Sequence, residues 1–545
     1  VPGLLPPLAV GAEAVYRPVV LLTLTWAGRV WRVATENVEI TNDDGEALPY
    51  VGTLDPVTLS DGLERFAQDA APAGVPLQFF LPGVDVALRV AQGHALSDAR
   101  GELAVWLPTT TFEERRELLS GRLREPEYDE DAPIRATLEE ALHEDRALFP
   151  DPSAVVLKED WNGAGWLPPP DPSVGRVYPV VIGSPGGYID AEGTEQSIPG
   201  SPAICIGMPA SNSIQLLIAG HQTASSTVTV FNLTLEESTS GSSISTATDG
   251  AGRTVSTTTV IIASTEDDWL YTHEYWIGWA TTGGLHNRER SGPLTLAGEV
   301  IRWLLSKSSL PIDHGRVAVA ARQLVAPEFS GYFDSPTSPW DLVRELFAPL
   351  LPITLTSGPG GLYPVVWRLD HRAHDSLKLS VARGDLERSS AVRVVDDAPV
   401  SVVRVRGAME GSSGAYHLTV VEAADATDAD DRASTIYARV AWERAGRTRR
   451  EELIESAYLW SVAACRQVAS YIMRRASGPG LEVSYDLHPR YEGLTRDWEC
   501  AITDAGRHWI DRSALLLEIE RTPEGRLRGH FWLPADPART IRGVS

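Results

Sequence analysis

Lysine and cysteine are nearly missing from this chain of 545 residues. Lys158, Lys307 and Lys378 are its three lysines, so almost all the positive charge is arginine, a bias expected of a GC-rich genome. Cys205, Cys465 and Cys500 are odd in number, far apart and free of any CxxC spacing. That excludes a disulfide framework and a cysteine-built metal site. No apolar run reaches the length that spans a bilayer, so no stable membrane insertion is expected. The opening VPGLLPPLAVGAEAVYRPVV has no basic n-region, and prolines interrupt its apolar stretch, so no secretion signal is expected. Basic charge of either kind is also short: 48 Lys plus Arg stand against 73 Asp plus Glu, a net −25. Such a surface repels nucleic acid, and sequence-specific binding to it is not expected.

What is present is mostly strand signal. VLLTLTW (Val20–Trp26) and RVWRVAT (Arg29–Thr35) alternate around Ala27-Gly28, which predicts a hairpin with a two-residue turn. VPLQFFL, VDVALRV and ELAVWLP continue the strands, and TFEERRELL opens with capping-box spacing from Thr111 to Glu114, predicting a short helix or turn. SGRLREPEYDEDAPIRATLEE predicts two strands around an acidic loop. Residues 1–150 are therefore expected to close a barrel or sandwich, followed by a Pro/Gly-rich linker at 151–175. A Ser/Thr-rich β domain or insertion is expected over 176–290. Within it SSISTATDGAGRTVSTTTVII predicts a surface hairpin through Asp249-Gly250, polar on both faces. An α+β domain is expected over 291–395, where Ser338, Pro339 and Asp341 read as N-cap, N1 and N3 of a helix. Residues 396–545 are expected to hold a long helix over 453–475, with Leu453, Ala457, Trp460, Ala464, Val468 and Ile472 on one face. LEVSYDL, WECAITDA, ALLLEIERT and RLRGHFWLP then predict a small antiparallel β unit. The fold class is thus mainly β with α+β parts, in several domains.

The chemical motifs read as scaffold. GRVYPVVIGSPGGYIDAEG puts Gly183-Ser184-Pro185-Gly186-Gly187 after a strand, without the Gly-Lys-Ser/Thr of a phosphate loop. Pro185 also removes the backbone donor that a nucleophile elbow would place after Ser184. His371 and His374 are spaced as HxxH, but they follow a strand and lack a third ligand. His273-Glu274 lacks the second histidine of a zincin helix. Asp425, Asp428, Asp430 and Asp431 are spaced carboxylates without the glycine and closing glutamate of a calcium loop. Most of the sixteen tryptophans, Trp26, Trp31, Trp340 and Trp460 among them, fall within strand and helix patterns, so core and interface packing explains them first. No catalytic residue, cofactor or metal is predicted.

Several stretches carry a resemblance. LLTLTWAGRVWRVAT followed by GEALPYVGTL, ERRELLSGRLREPEYDEDAPIRATLEE, GRVYPVVIGSPGG and GYFDSPTSPWDLVRELFAPLLPITLTSGPGGLYPVVWRLD are four of them. The fifth joins the helix at 453–475 to LEVSYDLHPRYEGLTRDWECAITDAG. In this order they resemble the tail hub (baseplate hub) proteins of tailed bacteriophages and gene-transfer-agent-like particles. The resemblance implies two tube-like antiparallel β-barrels and a homotrimer that joins a sixfold tail tube to a threefold tip. It further implies distal tail and tail tube proteins, a tape measure protein and central tip or fibre proteins as partners. The place implied is the virion tail, with synthesis in the host bacterial cytoplasm. The Ser/Thr-rich 200–265 region has no counterpart in it. Two other classes stay open: a carbohydrate-binding adhesin, from the Trp, Tyr and Ser/Thr content, and a tail-associated cell-wall hydrolase.

Overall fold

A computed structural model describes residues 19–42, 44–56, 59–62, 74–108, 110–128, 132–139, 146–161, 167–190, 192–210, 212–223, 227–261, 273–279, 286–287, 292–358, 360–367, 377–395, 400–424, 435–477, 480–491, 494, 498–521 and 526–534. The protein is mainly β with α+β parts and is multidomain. Its chain divides into two compact units. One gathers Val1–Glu144, Ile353–Asp396 and Pro479–Asp536; the other gathers Asp145–Pro352, Asp397–Gly478 and Pro537–Ser545.

The first unit holds two large sheets. In the amino-terminal one, Trp26 pairs with Arg29 across Ala27 (φ 49°) and Gly28 (φ 74°). Two left-handed central residues make the turn whose twist matches the strands it joins. The order is Arg29–Ala34, Val19–Trp26, Arg100–Trp106, Arg116–Glu127, Ile134–Glu139, Gly74–Phe79. Strand Val19–Trp26 is buried on both faces: Leu22 and Leu24 enter the main core, while Val19 and Leu21 pack under the hairpin of Val38–Thr41 and Ala47–Tyr50. The two edges are bridged by one short segment. Val51 pairs with Val33 at one edge and Leu54 with Phe79 at the other, and Asp55 N–H donates to the Gln78 carbonyl at 2.8 Å. Closure removes edges that would otherwise leave backbone groups open. The capping-box residues form a turn: Thr111 N–H donates to the Glu114 carboxylate at 2.9 Å, and a strand begins at Arg116.

The second sheet of this unit runs Leu377–Ser380, Glu499–Asp504, Trp509–Arg521, Leu527–Leu533, Gly480–Leu487, Leu386–Arg388. The four strands expected at the end of the chain are all in it. Four further strands come from upstream: Leu59–Gly62, Leu377–Ser380, Leu386–Arg388 and Arg393–Val395. Leu377–Ser380 lies parallel to Glu499–Asp504, and Leu59–Gly62 pairs antiparallel with Glu518–Arg521. Leu379, Val483, Tyr485, Cys500, Ile502, Leu516 and Phe531 fill its core.

The second unit is built around a seven-stranded sheet, Ser201–Pro202, Tyr275–Trp279, Thr227–Asn232, Glu237–Thr248, Thr254–Ile261, Ser213–Ala219, Ile204–Ala210. The Ser/Thr-rich hairpin is present, with Thr248 opposite Thr254. Only its first strand is mostly exposed. Ser256, Thr257 and Thr258 are buried, because Thr254–Ile261 lies between two partners and their hydroxyls donate to the His221, Ser245 and Ser243 carbonyls. Ser338 caps its helix as expected, accepting from Asp341 N–H at 3.1 Å.

The long helix differs from the expectation of 453–475. Glu451–Glu455 is a strand, parallel to Val402–Met409, and the helix is Val462–Ser477. Leu453 is consequently exposed, at 48%. Strand pairing wins there through an in-register ladder from Val402↔Glu451 to Arg406↔Glu455, and Glu451 and Glu455 also reach Arg404 and Arg406 at 2.5 and 2.8 Å. Ser461 then caps the helix through Ala464 N–H. From Ala464 onward the expected face holds: Ala464, Val468 and Ile472 are buried against the strands Val402–Met409 and Tyr416–Ala423.

Val468→Asp should destabilise this part by about 3 kcal/mol or more, since an uncompensated charge would enter a packed interface. Urea unfolding read by tryptophan fluorescence checks it; an unchanged midpoint would mean the face is not buried.

Candidate functional site

The Gly-Ser-Pro-Gly-Gly stretch is a tight turn. Gly187 N–H donates to the Ser184 carbonyl at 3.1 Å, with Pro185 second and Gly186 third at φ 91°. Those are the positions that a type II turn assigns to proline and glycine. The Ser184 side chain is buried, the Pro185 carbonyl accepts from Trp279 N–H, and the Gly186 carbonyl accepts from Ile198 N–H. A Cβ on Gly186 would lie 2.5 Å from the Ile198 oxygen, so the glycine is a packing requirement. His273 is buried with its Nδ1 3.1 Å from Asn232 Nδ2, and Glu274 accepts the Trp276 indole N–H at 2.7 Å. Both serve local structure. His371, His374, Asp425, Asp428, Asp430 and Asp431 lie outside the described residues.

Four polar constellations were not legible in the sequence, since each joins residues from distant segments. The first ties the Pro/Gly-rich linker to the Ser/Thr hairpin. Trp161 Nε1 donates to the Tyr178 hydroxyl at 3.1 Å, and that hydroxyl donates to Asp249 at 3.0 Å. Arg253 reaches Asp249 at 2.6 Å and Asp160 at 3.3 Å. Burial alone would raise the Asp249 pKa, yet the hydrogen bonds from Arg253 and Tyr178 outweigh it and leave the pKa lowered.

The second is a pair of fully buried carboxylates in the carboxy-terminal sheet. Asp504 accepts from Arg388 Nε at 2.8 Å, Tyr485 OH at 3.0 Å and Gly506 N–H at 3.0 Å, with Arg507 at 3.6 Å. The hydrogen bonds from Arg388 hold its carboxyl down to about 2. A Cβ on Gly506 would collide with the Arg388 guanidinium, which explains the glycine. Asp385 accepts from Ser380 N–H at 3.0 Å and Tyr491 OH at 2.9 Å, and pairs with Arg383 and Arg490. Arg388 lies on one edge strand, whereas Asp504 lies next to the opposite edge strand, to which Ser380 belongs. The two aspartates therefore join the ends of the sheet.

The third is an open groove of about 700 Å³ over the same sheet, lined by Arg393, Glu482, Ser484, Glu518 and His530. Ser484 and His530 face each other across two strands, Oγ to Nδ1 at 2.7 Å, and Glu520 lies 3.8 Å from Nε2. The order Ser–His–Glu resembles a nucleophile with its base. However, the Ser484 amide donates to Ser390 Oγ at 2.9 Å, so it is not available to meet an oxyanion. The arrangement is a cross-strand polar pair continued by Arg528, which reaches Asp486 at 2.9 Å and Glu520 at 3.4 Å.

The fourth is a cavity of about 260 Å³ beside Glu422, between Thr435 and the helix residues Arg466, Gln467, Ala469 and Ser470. Thr435 Oγ1 donates to Glu422 at 2.5 Å while capping its own helix at Ala438. Burial raises the Glu422 pKa against the opposing effects of Thr435 and Arg474. Among the described residues, no group of three or more His, Cys, Asp or Glu side chains could hold a metal ion. No helix among them is long and apolar enough to cross a membrane.

No protein-family model matches this chain, and no curated protein does. Solved structures similar to it include the prophage MuSo2 43 kDa tail protein from Shewanella oneidensis. That match has 10% identity, spans 95% of this chain and 99% of that one, and has a TM-score of 0.32. The prophage tail protein gp18 from Listeria monocytogenes EGD-e is similar at 7% identity over 93% and 98% of the two chains, TM-score 0.31. The virion of the native gene transfer agent particle contains a chain similar at 10% identity over 50% and 81%, TM-score 0.19.

Asp504→Asn should cost about 2 to 3 kcal/mol at pH 7. A depressed folded pKa contributes stability above the unfolded value, near 3.8, and loses it as pH falls through about 2. The difference from wild type in urea should therefore shrink toward pH 2; a pH-independent difference would assign the loss to packing instead. Glu422 has the opposite sign. Its raised pKa makes the folded state bind more protons, so this residue destabilises above its folded pKa and not below its unfolded value. Glu422→Gln should raise the melting temperature at pH 8 and leave it unchanged near pH 3.5, as differential scanning fluorimetry can read.

Proposed function

We propose that this chain is a structural hub protein of a phage or gene-transfer-agent tail tip, acting as a homotrimer around the DNA and tape-measure path. The observation that carries this reading is the composition of the first unit: two large strand-built sheets, one from each end of the chain, in a single compact body. Three copies would offer six such sheets. That is the number a sixfold tube needs from a threefold object, and symmetric closure covers strand edges at the subunit joints. The stretches that resemble tail hub proteins span most of the same chain in the same order.

The side chains that could do chemistry are engaged in holding strands together, as the bonds to Asp249, Asp385 and Asp504 illustrate. This favours a scaffold over a hydrolase. The charge fits as well. With a net −25 per chain, a trimeric conduit would let a polyanion slide without the phosphate contacts that hold it. The partners in this reading are tail tube and distal tail proteins, the tape measure protein and a central tip or fibre protein.

Mass photometry of the purified chain, alone and with neighbouring tail proteins, should give a species at three times 59.1 kDa. Negative-stain images should then show a ring with a threefold axis. A monomer under every condition would overturn the hub reading, and a monomer that binds glycans would favour the adhesin.

A further inference from the structure

Strand Trp509–Arg521 is the longest in the carboxy-terminal sheet, and its two halves have different neighbours on one side. Residues 509–515 pair with Glu499–Asp504. From Glu518 to Arg521 that side would be an open edge, and Leu59–Gly62 occupies it: Glu518 opposite Gly62, Ile519 opposite Asp61, Glu520 opposite Ser60, Arg521 opposite Leu59. The other side of the same residues is paired with Leu527–Leu533 throughout. The cover is thus a separate piece of chain, from the stretch between the closing segment of the amino-terminal sheet and its strand Gly74–Phe79.

Three features make this cover exchangeable. Leu59–Gly62 is four residues long, and its Leu-Ser-Asp-Gly sequence has poor strand propensity, so the ladder it forms is weak. It belongs to the excursion between Asp55, where the first sheet has just been closed, and Gly74, where the next strand begins. Closure of the first sheet at 51–55 therefore does not depend on where this strand pairs. The ladder pairs main-chain groups in register, so the same strand from a second copy satisfies the same donors and acceptors.

We propose that, in the assembled protein, the edge at Glu518–Arg521 is covered by the Leu59–Gly62 strand of a neighbouring copy. This rests on the trimeric reading above. The exchange ties adjacent subunits through main-chain hydrogen bonds while each copy keeps its cores intact. It also supplies a two-step assembly: the strand covers its own edge in the free chain and is passed on when a ring forms, at almost no net loss of contacts. The open groove at Glu518 and His530 adjoins this edge and gives the neighbouring segment room to enter.

The test uses two single-cysteine variants, Ser60→Cys and Glu520→Cys, whose positions are directly opposite in the ladder. Opposed Cβ atoms in such a pair lie about 4.5 to 5.5 Å apart, close enough for a disulfide after small adjustment. Cys205, Cys465 and Cys500 are buried, and burial pushes the Cys205 and Cys465 thiols up to about 12, so they do not compete. The two variants are mixed, assembled and oxidised with diamide, then separated without reductant. A band at twice 59.1 kDa that requires both variants is the expected result, because a strand kept within its own chain cannot bring the two cysteines together. A trimer in which the mixture gives no such band, while a Ser60→Cys/Glu520→Cys double variant closes within one chain, overturns the exchange and leaves the hub reading standing. Absence of any oligomer overturns both.

Discussion

A β-sheet must do something with its two outermost strands, and most of this structure is a set of answers to that constraint. Unpaired N–H and C=O groups at an edge either meet water, meet another chain or are closed internally. The amino-terminal sheet is closed by backbone, through the short run from Val51 to Asp55 that touches both ends. In the carboxy-terminal sheet side chains reinforce the backbone, where the Asp385 amide donates to the Ser380 carbonyl at 3.1 Å. Asp504 reaches across to Arg388, and Asp385 takes the amide of Ser380. The second solution uses charge, and the hydrogen bonds from Arg388 hold the Asp504 carboxyl down to about 2.

The same use of polar groups recurs in the second unit. A linker rich in proline and glycine cannot make a ladder of its own, so it is fixed from outside. The Trp161 indole donates to the Tyr178 hydroxyl, which donates to the Asp249 carboxylate, and Gly250 N–H donates to the Asp160 carbonyl at 3.0 Å. Arg253 stacks over the Tyr178 ring at 4.8 Å and completes the cluster. An arginine suits this task better than a lysine, since one planar group serves two carboxylates and an aromatic face together. The near absence of lysine from the chain is thus compatible with a polar interior built almost wholly on guanidinium groups.

Edges that are closed internally fix a subunit; edges that can be covered by another chain build an assembly. The groove and the edge at Glu518 sit side by side on the one strand long enough to have neighbours of both kinds. Arginine–carboxylate pairs dominate the surface of that sheet, with Arg528 between Asp486 and Glu520 as the clearest case. Such pairs contribute little stability when exposed.

The sequence by itself determined several local elements, though not all: VDVALRV, expected as a strand, is the helix Gly83–Ala91. Ala27-Gly28 set a hairpin, Ser338-Pro339 set a helix start, and Pro185-Gly186 set a turn, because each depends on backbone preferences of adjacent residues. It also determined the buried face of the last helix from Ala464 onward, where period 3.6 is read directly. The helix start was misplaced because Leu453 satisfies a helical period as well as a strand, and the long-range pairing of Glu451–Glu455 with Val402–Arg406 separates the two. The burial of Thr257 and Thr258 was hidden for the same reason: composition gives polarity, whereas position within the sheet gives exposure. The tertiary structure alone decided which segments, hundreds of residues apart, share a sheet, and hence where Asp385, Asp504 and the edge at Glu518 lie. Those juxtapositions arise from long-range strand pairing, whose free energy is spread over many weak contacts and leaves no local pattern in the chain.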